Sequence, residues 1–275
     1  MRQTLLIALK EWRDGWRNRW VIATTALLAA LALTLAFLGS APTGTVKVGG
    51  LAVTVVSLSS LTIFLIPLIA LLLSYDAIVG EIERGTMSLL LTYPVARWQV
   101  LLGKFTGHLA ILVFATVVGY GTAGLAAQWA GNDDRDAWAA FALLIMSSGL
   151  LGGVFVAIGY LISTMVSDRG AAGGIAVGVW LFFVLIYDMA LLGVLAVDQG
   201  RTMTSPMLNI LLLANPTDAY RLLNLTATKD VSAISGVAAL GAHSGIGPHA
   251  LIGALAVWML APLVGAMALF ARRPV

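Results

Sequence analysis

Six long apolar runs constrain the fold of this chain more than any other feature of its sequence. An α-helix needs roughly 20 apolar residues to cross the ~30 Å hydrocarbon core of a bilayer. Only 11% of the residues are charged, compared with about 25% in soluble domains. We therefore predict an all-α, polytopic membrane protein, a single transmembrane domain over residues 1–275, with six transmembrane helices: Trp20 to Leu38, Leu51 to Leu73, Phe105 to Trp129, Ala137 to Val166, Ala171 to Val197 and Ala250 to Ala271.

The distribution of basic residues predicts the orientation in the membrane. Cytoplasmic segments retain Lys and Arg, and an even number of spans places both termini on one side. Most of the 16 Lys and Arg residues are cytoplasmic if the termini are inside. We expect a bacterial inner-membrane protein with both termini in the cytoplasm, and we interpret the net charge of +3 as a topology signal, not as a sign of a nucleic-acid partner. A signal peptide cleaved near Gly39 to Ala41 is the alternative for the first run.

Residues 1–19 form an amphipathic segment. Leu5, Leu9, Trp12 and Trp16 recur at helical spacing among charged residues, which predicts a helix lying in the membrane interface in contact with lipid. This helix is either an anchor that orients the first span or an elbow that moves with the transmembrane domain.

A cytoplasmic segment, residues 74–104, separates the second and third spans. Thr86 can cap a short helix over Met87 to Leu91, and Tyr93, which precedes Pro94, ends it. We expect the apolar residues of this helix to be exposed and to form a docking surface: Met87, Leu90 and Leu91. The alternative, in which the helix packs back on the bundle, is disfavoured by a neighbouring acidic group that is costly to bury: Asp76, Glu81 and Glu83.

The last outer segment, residues 198–249, is the longest. It contains two apolar stretches too short to span, Met207 to Ala214 and Val231 to Leu240, which we interpret as re-entrant or interfacial helices. Pro216 interrupts helical structure between them, and Thr217 or Asp218 can cap the helix that follows. A segment of this size can be a platform for another protein.

The sequence lacks the motifs of common enzymes. No G-x-x-x-x-G-K-[ST] run is present, so we expect no nucleotide hydrolysis by this chain. H-E-x-x-H and G-x-S-x-G are also missing, and the absence of cysteine excludes disulfides and thiolate sites. We therefore expect no enzyme activity and no cofactor in this chain.

Three polar or small-residue features allow functional and structural interpretations. Asp188 is an acidic residue within a span, which is expensive in a membrane; it lies either in a water-accessible outer cavity or in a fixed hydrogen bond to a neighbouring helix or to Tyr160. Glycines at four-residue spacing predict close helix packing, within the chain or in a homodimer: Gly170, Gly174 and Gly178, and Gly149 and Gly153. Thioether and imidazole groups suit copper(I), and the outer segment contains four of them: Met203, Met207, His243 and His249. A methionine pair such as Met203 and Met207 is also expected by chance in an apolar chain with nine methionines.

The run Gly80-Glu81-Ile82-Glu83-Arg84-Gly85-Thr86, followed by Leu89 to Leu91, Pro94, Arg97 and Gly103-Lys104, resembles the signature of type-2 ABC exporter permeases. In that family the signature lies between the second and third spans, as it does here. The resemblance implies two copies of the chain, two separate ATPase subunits that bind ATP and Mg, and a coupling helix over Thr86 to Leu91. The residues implied to couple to the ATPase are Glu81, Glu83, Arg84, Gly85, Thr86, Met87, Leu90, Leu91, Pro94 and Arg97.

Within this family, the chain resembles the permeases of the ABC complexes that mature nitrous oxide reductase. It has no large soluble insert, and its outer segment carries the run from Asn215 to Leu222. This resemblance implies a mechanical transmitter whose outer loop holds a periplasmic, copper-handling protein, with Asn215, Asp218, Tyr220 and Arg221 as docking residues. The rival hypotheses are an exporter of a lipid, drug or sulfur species, and a passive scaffold or channel without an ATPase. The coupling segment argues against the scaffold.

Overall fold

The computed structural model describes residues 2–17, 19–38, 50–129, 135–198, 203–227 and 246–274. All elements within these ranges are helical, which confirms the all-α fold class. The α-helices in chain order are α1 (Arg2–Arg17), α2 (Arg19–Leu38), α3 (Gly50–Ser74), α4 (Val79–Glu83), α5 (Thr86–Leu91), α6 (Arg97–Trp129), α7 (Arg135–Met165), α8 (Arg169–Leu181), α9 (Tyr187–Asp198), α10 (Ser205–Leu213), α11 (Pro216–Ala227) and α12 (Pro248–Arg272).

Five helical segments of the described chain are long and apolar enough to cross a membrane. They are Thr54–Glu83, Arg97–Ala126, Trp138–Met165, Arg169–Asp198 and Pro248–Arg272, and they correspond to the second to sixth predicted spans. The first predicted span is helical in α2, but its described apolar part, Val21–Leu35, is shorter than the other five. The presence of a sixth span therefore stays a prediction.

Helix α7 lies at the centre of the bundle. It packs along α3 on one side and α12 on another, while α1 and α2 both pack along α6. Glycines permit the close approach, since a Cβ at Gly152 would overlap the side chain of Leu112 and a Cβ at Gly159 would overlap Ser74. Gly149 and Gly153 also face neighbours of the same chain, Val113 and Met259. Close packing of this kind holds membrane helices together, because lipid supplies no hydrophobic force between them.

The fifth predicted span is interrupted by a five-residue π-helix, Phe182–Ile186, between α8 and α9. We call α8, the π-helix and α9 together span 5. It is the least buried of the five candidate spans: 17% of its most apolar window is buried, compared with 28% to 67% for the others. Span 5 therefore has a large surface that the described part of the chain does not cover.

The outer segment folds back into the bundle. Helix α10 covers the predicted stretch Met207 to Ala214, whereas Val231 to Leu240 lies outside the described residues. Helical structure breaks between α10 and α11 at Pro216 as predicted, but Pro216 is itself the first residue of α11, where its missing N–H is no loss. The helix is capped by Asn215, whose side-chain Oδ1 accepts from the backbone N–H of Thr217 at 3.0 Å, so the prediction that Thr217 or Asp218 caps it is wrong. Helix α11 packs against α7, α12 and α3.

Candidate functional site

The segment predicted to couple to an ATPase, residues 74–104, is called the coupling segment below, and it turns sharply at Gly85. This residue has φ of 69°, a left-handed conformation that glycine adopts without steric penalty. It separates α4 from α5 and is the N-cap residue of α5. The prediction that Thr86 caps α5 is wrong, because its hydroxyl donates backwards to the carbonyl of Glu81 at 3.2 Å.

The turn directs one face of α5 into the bundle. Met87 is fully buried, and Leu90 and Leu91 are half-buried against the core. These positions are three and four residues apart, so they share one face of a helix. The expectation that they are exposed is therefore wrong. The large apolar residues that the segment does expose are Leu89, at 66%, Tyr93, at 67%, and Trp98, at 49%.

Two other residues of the segment hold it to the ends of other helices. The guanidinium of Arg97 donates to carbonyls at the end of α12, those of Phe270, at 2.9 Å, and Arg273. The carbonyl of Pro94 accepts from the side chain of Gln3 in α1 at 2.7 Å. Helix ends leave carbonyls with incomplete intrahelical bonding, and Arg97 supplies a side-chain donor to two of them. The segment is thus fixed to α1 and α12 as well as to α6.

A buried charge cluster lies beneath the segment. The ammonium of Lys104 in α6 lies 2.8 Å from Glu11 of α1 and 2.8 Å from Glu81 of α4. The three side chains are 5%, 11% and 13% exposed. His108 lies beside them, with Nε2 3.6 Å from Glu11 and Nδ1 2.9 Å from the hydroxyl of Tyr160 in α7. We call these five residues the inner cluster; they join α1, α4, α6 and α7.

Glu11 is held in its ionised form. Burial alone raises the pKa of this carboxyl, but the hydrogen bond with His108 and the positive charge of Lys104 outweigh burial and leave the pKa below its usual value. The inner cluster therefore contains real charges in a poorly hydrated position, where each partner depends on the others.

The remaining acidic residues near the segment are also paired. Asp76 lies 2.8 Å from the guanidinium of Arg169 at the start of α8, and Glu83 accepts from the backbone N–H of Arg169 at 2.8 Å. Arg84 is exposed. The expected cost of burying the acidic group is avoided by these pairs, so the packing of α5 on the bundle is compatible with the charges beside it.

A second polar cluster lies between span 5 and α11. The carboxylate of Asp188 lies 2.6 Å from Arg221, which also contacts Asp218 at 2.6 Å. The side-chain amide of Asn215 donates to Asp218 at 3.1 Å. We call Asp188, Asn215, Asp218 and Arg221 the outer cluster. Of the two interpretations of Asp188, the fixed contact to a neighbouring segment is the observed one, with Arg221 as the partner in place of Tyr160.

The outer cluster is not a docking surface. Asn215, Asp218 and Tyr220 have no exposed surface, and Arg221 is 19% exposed. The hypothesis that these residues contact a periplasmic partner is therefore wrong, because α11 buries them in the bundle. A polar residue in an outer segment looks solvent-exposed from sequence alone. The sequence signal for the burial of Arg221 is that an acidic residue within a span, Asp188, needs a cation as its partner.

Further hydroxyl and amide groups continue the contact of α11 with the spans. Tyr220 lies 3.1 Å from Ser148 of α7, and Asn224 donates to Ser147 at 3.0 Å. Nearby, the hydroxyls of Thr62 and Tyr120 lie 2.6 Å apart. The sequence analysis missed these contacts. The signal for them is the spacing of Thr217, Tyr220 and Asn224, which places three polar side chains on one face of α11.

The copper-site candidates are not assembled in the described residues. Met207 and His249 are exposed and Met203 is partly exposed, while His243 lies outside the described ranges. Within those ranges, no three His, Cys, Asp or Glu side chains lie close enough to hold a metal ion. Copper binding by this chain stays a prediction.

Comparison with known proteins gives near-complete matches. A family model described as ABC-2 family transporter protein matches residues 5–275. A relative from Pseudomonas aeruginosa is 48% identical over 271 residues, 98% of either chain, and one from Stutzerimonas stutzeri is 45% identical over 275 residues, 99% of either chain. Both carry the name "Probable ABC transporter permease protein NosY".

Proposed function

Because the chain belongs to the ABC-2 family of transporter proteins, as the resemblance of its coupling segment predicted, we propose that it transmits conformational work from a separate cytoplasmic ATPase across the inner membrane. The family assignment makes it a multi-pass permease subunit of an ABC transporter. The task we propose is the maturation of the copper site of nitrous oxide reductase, together with a periplasmic copper-handling partner. The ATPase supplies the bound ATP and Mg.

The observation that carries this proposal is how the coupling segment is attached. Its outward side presents Leu89 and Tyr93, the kind of exposed apolar surface that a partner covers. Its inward side is fixed by Met87 in the core and by Glu81 in the inner cluster. A push on α5 is therefore passed to α1, α6 and α7 and is not absorbed by a flexible loop.

Leu89 gives the sharpest test of ATPase docking. Leu89→Asp is expected to weaken binding of the ATPase by at least about 2 kcal/mol, because it places an unpaired charge in an apolar contact. The measurement is the ATPase retained when the tagged chain is purified in mild detergent. Leu89→Met keeps the apolar surface and is expected to retain the ATPase.

Retention of the ATPase by both Leu89 variants would contradict the assignment of α5 as the coupling helix. Glu81→Ala and Leu90→Asp are also expected to abolish ATP-driven function. They are less specific probes, because Glu81 is ion-paired inside the inner cluster and Leu90 packs against the core.

Span 5 is where we place the second copy of the chain. Gly174 and Gly178 are one helical turn apart, and no atom lies within 4 Å of a Cβ built at either. Larger apolar side chains beside them are exposed, such as Phe182 at 46% and Ile186 at 54%. A surface with small residues at four-residue spacing permits the close backbone approach that stabilises helix pairs in lipid.

The absence of cysteine makes this interface testable by crosslinking. Gly178→Cys is expected to form a disulfide-linked dimer when membranes are oxidised, because a disulfide requires Cα atoms about 4.4–6.8 Å apart. Val117→Cys is the control, since Val117 is 45% exposed on a different helix, α6. Equal crosslinking at the two positions, or none at 178, would show that span 5 is not the interface.

The periplasmic partner must contact residues other than the outer cluster. Within the described residues, α10 exposes Met207, at 51%, and Ile210, at 68%, and it is joined directly to α11. These two side chains are the apolar surface that we propose for the partner.

A second candidate function is the ATP-driven export of a small molecule, lipid or sulfur species. It is favoured by a cavity of about 400 Å³ between α2, α3 and α6, whose walls include Ile69, Ile111 and Leu112, with the Asp76–Arg169 pair at its edge. Mass spectrometry of the proteins that co-purify with the chain from its native host separates the two functions. An ATPase together with a periplasmic copper-handling protein supports maturation, and an ATPase alone supports export.

A further inference from the structure

The π-helix of span 5 leaves a carbonyl group for the outer segment to bind. In a π-helix the backbone hydrogen bonds skip one residue further than in an α-helix, and single-turn π segments occur often at functional sites. Here the carbonyl of Phe183 accepts from Nδ2 of Asn215 at 3.0 Å and lies 3.2 Å from the hydroxyl of Thr217. The single hydroxyl proton of Thr217 is shared between this carbonyl and Oδ1 of Asn215, which lies 2.8 Å away. The start of α11 is thus bonded to the irregular turn of span 5.

Two further contacts follow within one helical turn. The hydroxyl of Tyr187 donates to the carbonyl of Leu211 in α10 at 2.7 Å, and Asp188 pairs with Arg221 at 2.6 Å. Consecutive turns of span 5, from Phe183 to Asp188, are therefore bonded to the segment from Leu211 to Arg221.

These contacts matter because most of the surface of span 5 is not covered by the described part of the chain. Only 17% of its most apolar window is buried, and apolar contact with lipid does not favour one position of the helix over another. Hydrogen bonds and ion pairs to a neighbouring segment then determine where the outer half of span 5 lies.

Helix α11 and the end of α10 are also bonded to the central bundle. Tyr220 contacts Ser148 and Asn224 contacts Ser147, both in α7, and Trp258 of α12 donates to the carbonyl of Leu213 at 3.1 Å. Helix α11 is therefore a strut between the loosely packed span 5 and the central helices. Any displacement of span 5 relative to α7 either moves α11 or breaks its bonds to span 5.

We propose that Asn215, Thr217 and Arg221 form a joint that transmits the movement of span 5 to α10 and α11 on the outer face. This proposal rests on the proposed function, which supplies the movement. The π-helix is the part of span 5 that bends most easily, since its backbone already departs from regular α-helical bonding. The joint attaches the outer segment to span 5 at this π-helix, so that the outer segment moves with it. These residues are positioning residues: they touch neither the ATPase nor the outer partner.

The test separates movement of span 5 from movement of the outer segment. Because the chain has no cysteine, single reporters are introduced as Val197→Cys at the end of span 5 and Ile210→Cys on α10, positions that are 85% and 68% exposed. The rate of labelling with a water-soluble maleimide is measured in membrane vesicles that contain the chain and its ATPase. Each reporter is measured without nucleotide and after trapping with ATP and vanadate.

A disconnected variant removes the joint without leaving a buried charge unpaired. It carries one substitution for each bond to span 5: Tyr187→Phe, Asp188→Ala, Asn215→Ser and Thr217→Val. Arg221 keeps Asp218 as its partner in this variant. The control is Thr122→Val, an equivalent change at a hydroxyl that donates to Gly119 within its own helix. Thr217→Ser keeps the hydroxyl and is expected to behave as the unmodified chain.

In the unmodified chain, trapping is expected to change labelling at both reporters. In the disconnected variant, the change at position 197 is expected to remain while the change at position 210 is lost. A change at position 210 that persists in the disconnected variant overturns the joint and leaves the proposed function intact. An unmodified chain with an active ATPase but no change at position 197 overturns the proposed function, and the joint with it.

Thr217→Val alone is the second variant, and it makes the smallest change in volume. It is expected to reduce the trapping-dependent change at position 210, with no reduction for Thr217→Ser. An equal response of these two variants at position 210 also overturns the joint, because they differ mainly in the hydroxyl that reaches the π-helix.

Discussion

Lys104→Ala is expected to lower the free energy of unfolding by about 3–5 kcal/mol, because it leaves two buried carboxylates without their cation. Glu11 and Glu81 each lie 2.8 Å from the ammonium group, and none of the three side chains is more than 13% exposed. The free energy of unfolding is measured by titrating the purified chain from mild detergent into a denaturing detergent and following its helicity.

Lys10→Ala is the matched control for Lys104. The ammonium of Lys10 also lies near Glu11, at 3.6 Å, but its side chain is 61% exposed. An exposed ion pair contributes about 0–1 kcal/mol, so this variant is expected to retain nearly full stability. Equal losses for the two variants would show that the inner cluster is hydrated and that Lys104 has no special role.

Neutralising the whole charge group distinguishes stability from transmission. The triple variant Glu11→Gln, Glu81→Gln and Lys104→Met removes the unpaired charges and is expected to recover most of the stability lost in Lys104→Ala. It lacks the ion pairs that hold α4 to α1 and α6, so we expect ATP hydrolysis without movement on the outer face. A triple variant that is fully coupled would contradict the role of the inner cluster in transmission.

Hydropathy and spacing were sufficient to predict the five long helical segments of the described chain that can cross a membrane. The second to sixth predicted spans correspond to helices long enough to cross a membrane, and the break at Pro216 is the start of α11. These features depend on residues close together in the chain. The π-helix at Phe182–Ile186 was not predictable in the same way, because nothing in its apolar sequence distinguishes it from a regular turn.

Exposure and ion pairing were harder to predict than the helices. Met87 was expected to be exposed because a short cytoplasmic helix lies outside the bilayer, yet it belongs to the face that α5 turns towards the core. Lys104 was expected as part of the family signature beside the third span, and nothing near it in the sequence predicts that its partners are Glu11 and Glu81. The burial of Met87 and the ion pairs of Lys104 both depend on contacts between distant parts of the chain. Such contacts leave no local pattern in a single sequence.

The outer segment illustrates the same difficulty for polar residues. Asn215, Asp218 and Tyr220 have the composition of an exposed loop, and a short amphipathic helix between spans can face water, lipid or the bundle. Helix α11 can be buried because its polar side chains pair with polar groups on the spans: Ser147, Ser148 and Asp188. The unpaired carboxylate expected within span 5 was the one feature that required a partner from elsewhere in the chain.

Arg221→Ala is expected to be among the most destabilising single substitutions in the protein. It leaves Asp188 and Asp218 facing each other without a cation, and the side chain of Asp218 is only 1% exposed. Removing one member of a buried ion pair typically lowers stability by about 3–5 kcal/mol. Burial and the neighbouring Asp188 raise the pKa of Asp218 to about 7, although Arg221 opposes this shift. Asp218 can therefore take up a proton when Arg221 is lost, so we expect a loss at the lower end of this range, measured by the same denaturing-detergent titration.

Arg169→Ala is the appropriate comparison, because the Arg169–Asp76 pair has a similar length of 2.8 Å but its side chains are 44% and 27% exposed. Solvent can replace that pair, so its loss is expected to lower stability by about 0–1 kcal/mol. Arg221→Lys keeps the charge but cannot reach both carboxylates with a planar fork, which predicts an intermediate loss. If Arg221→Ala were no more harmful than Arg169→Ala, the outer cluster would be open to water, and α11 could not act as a strut that positions span 5.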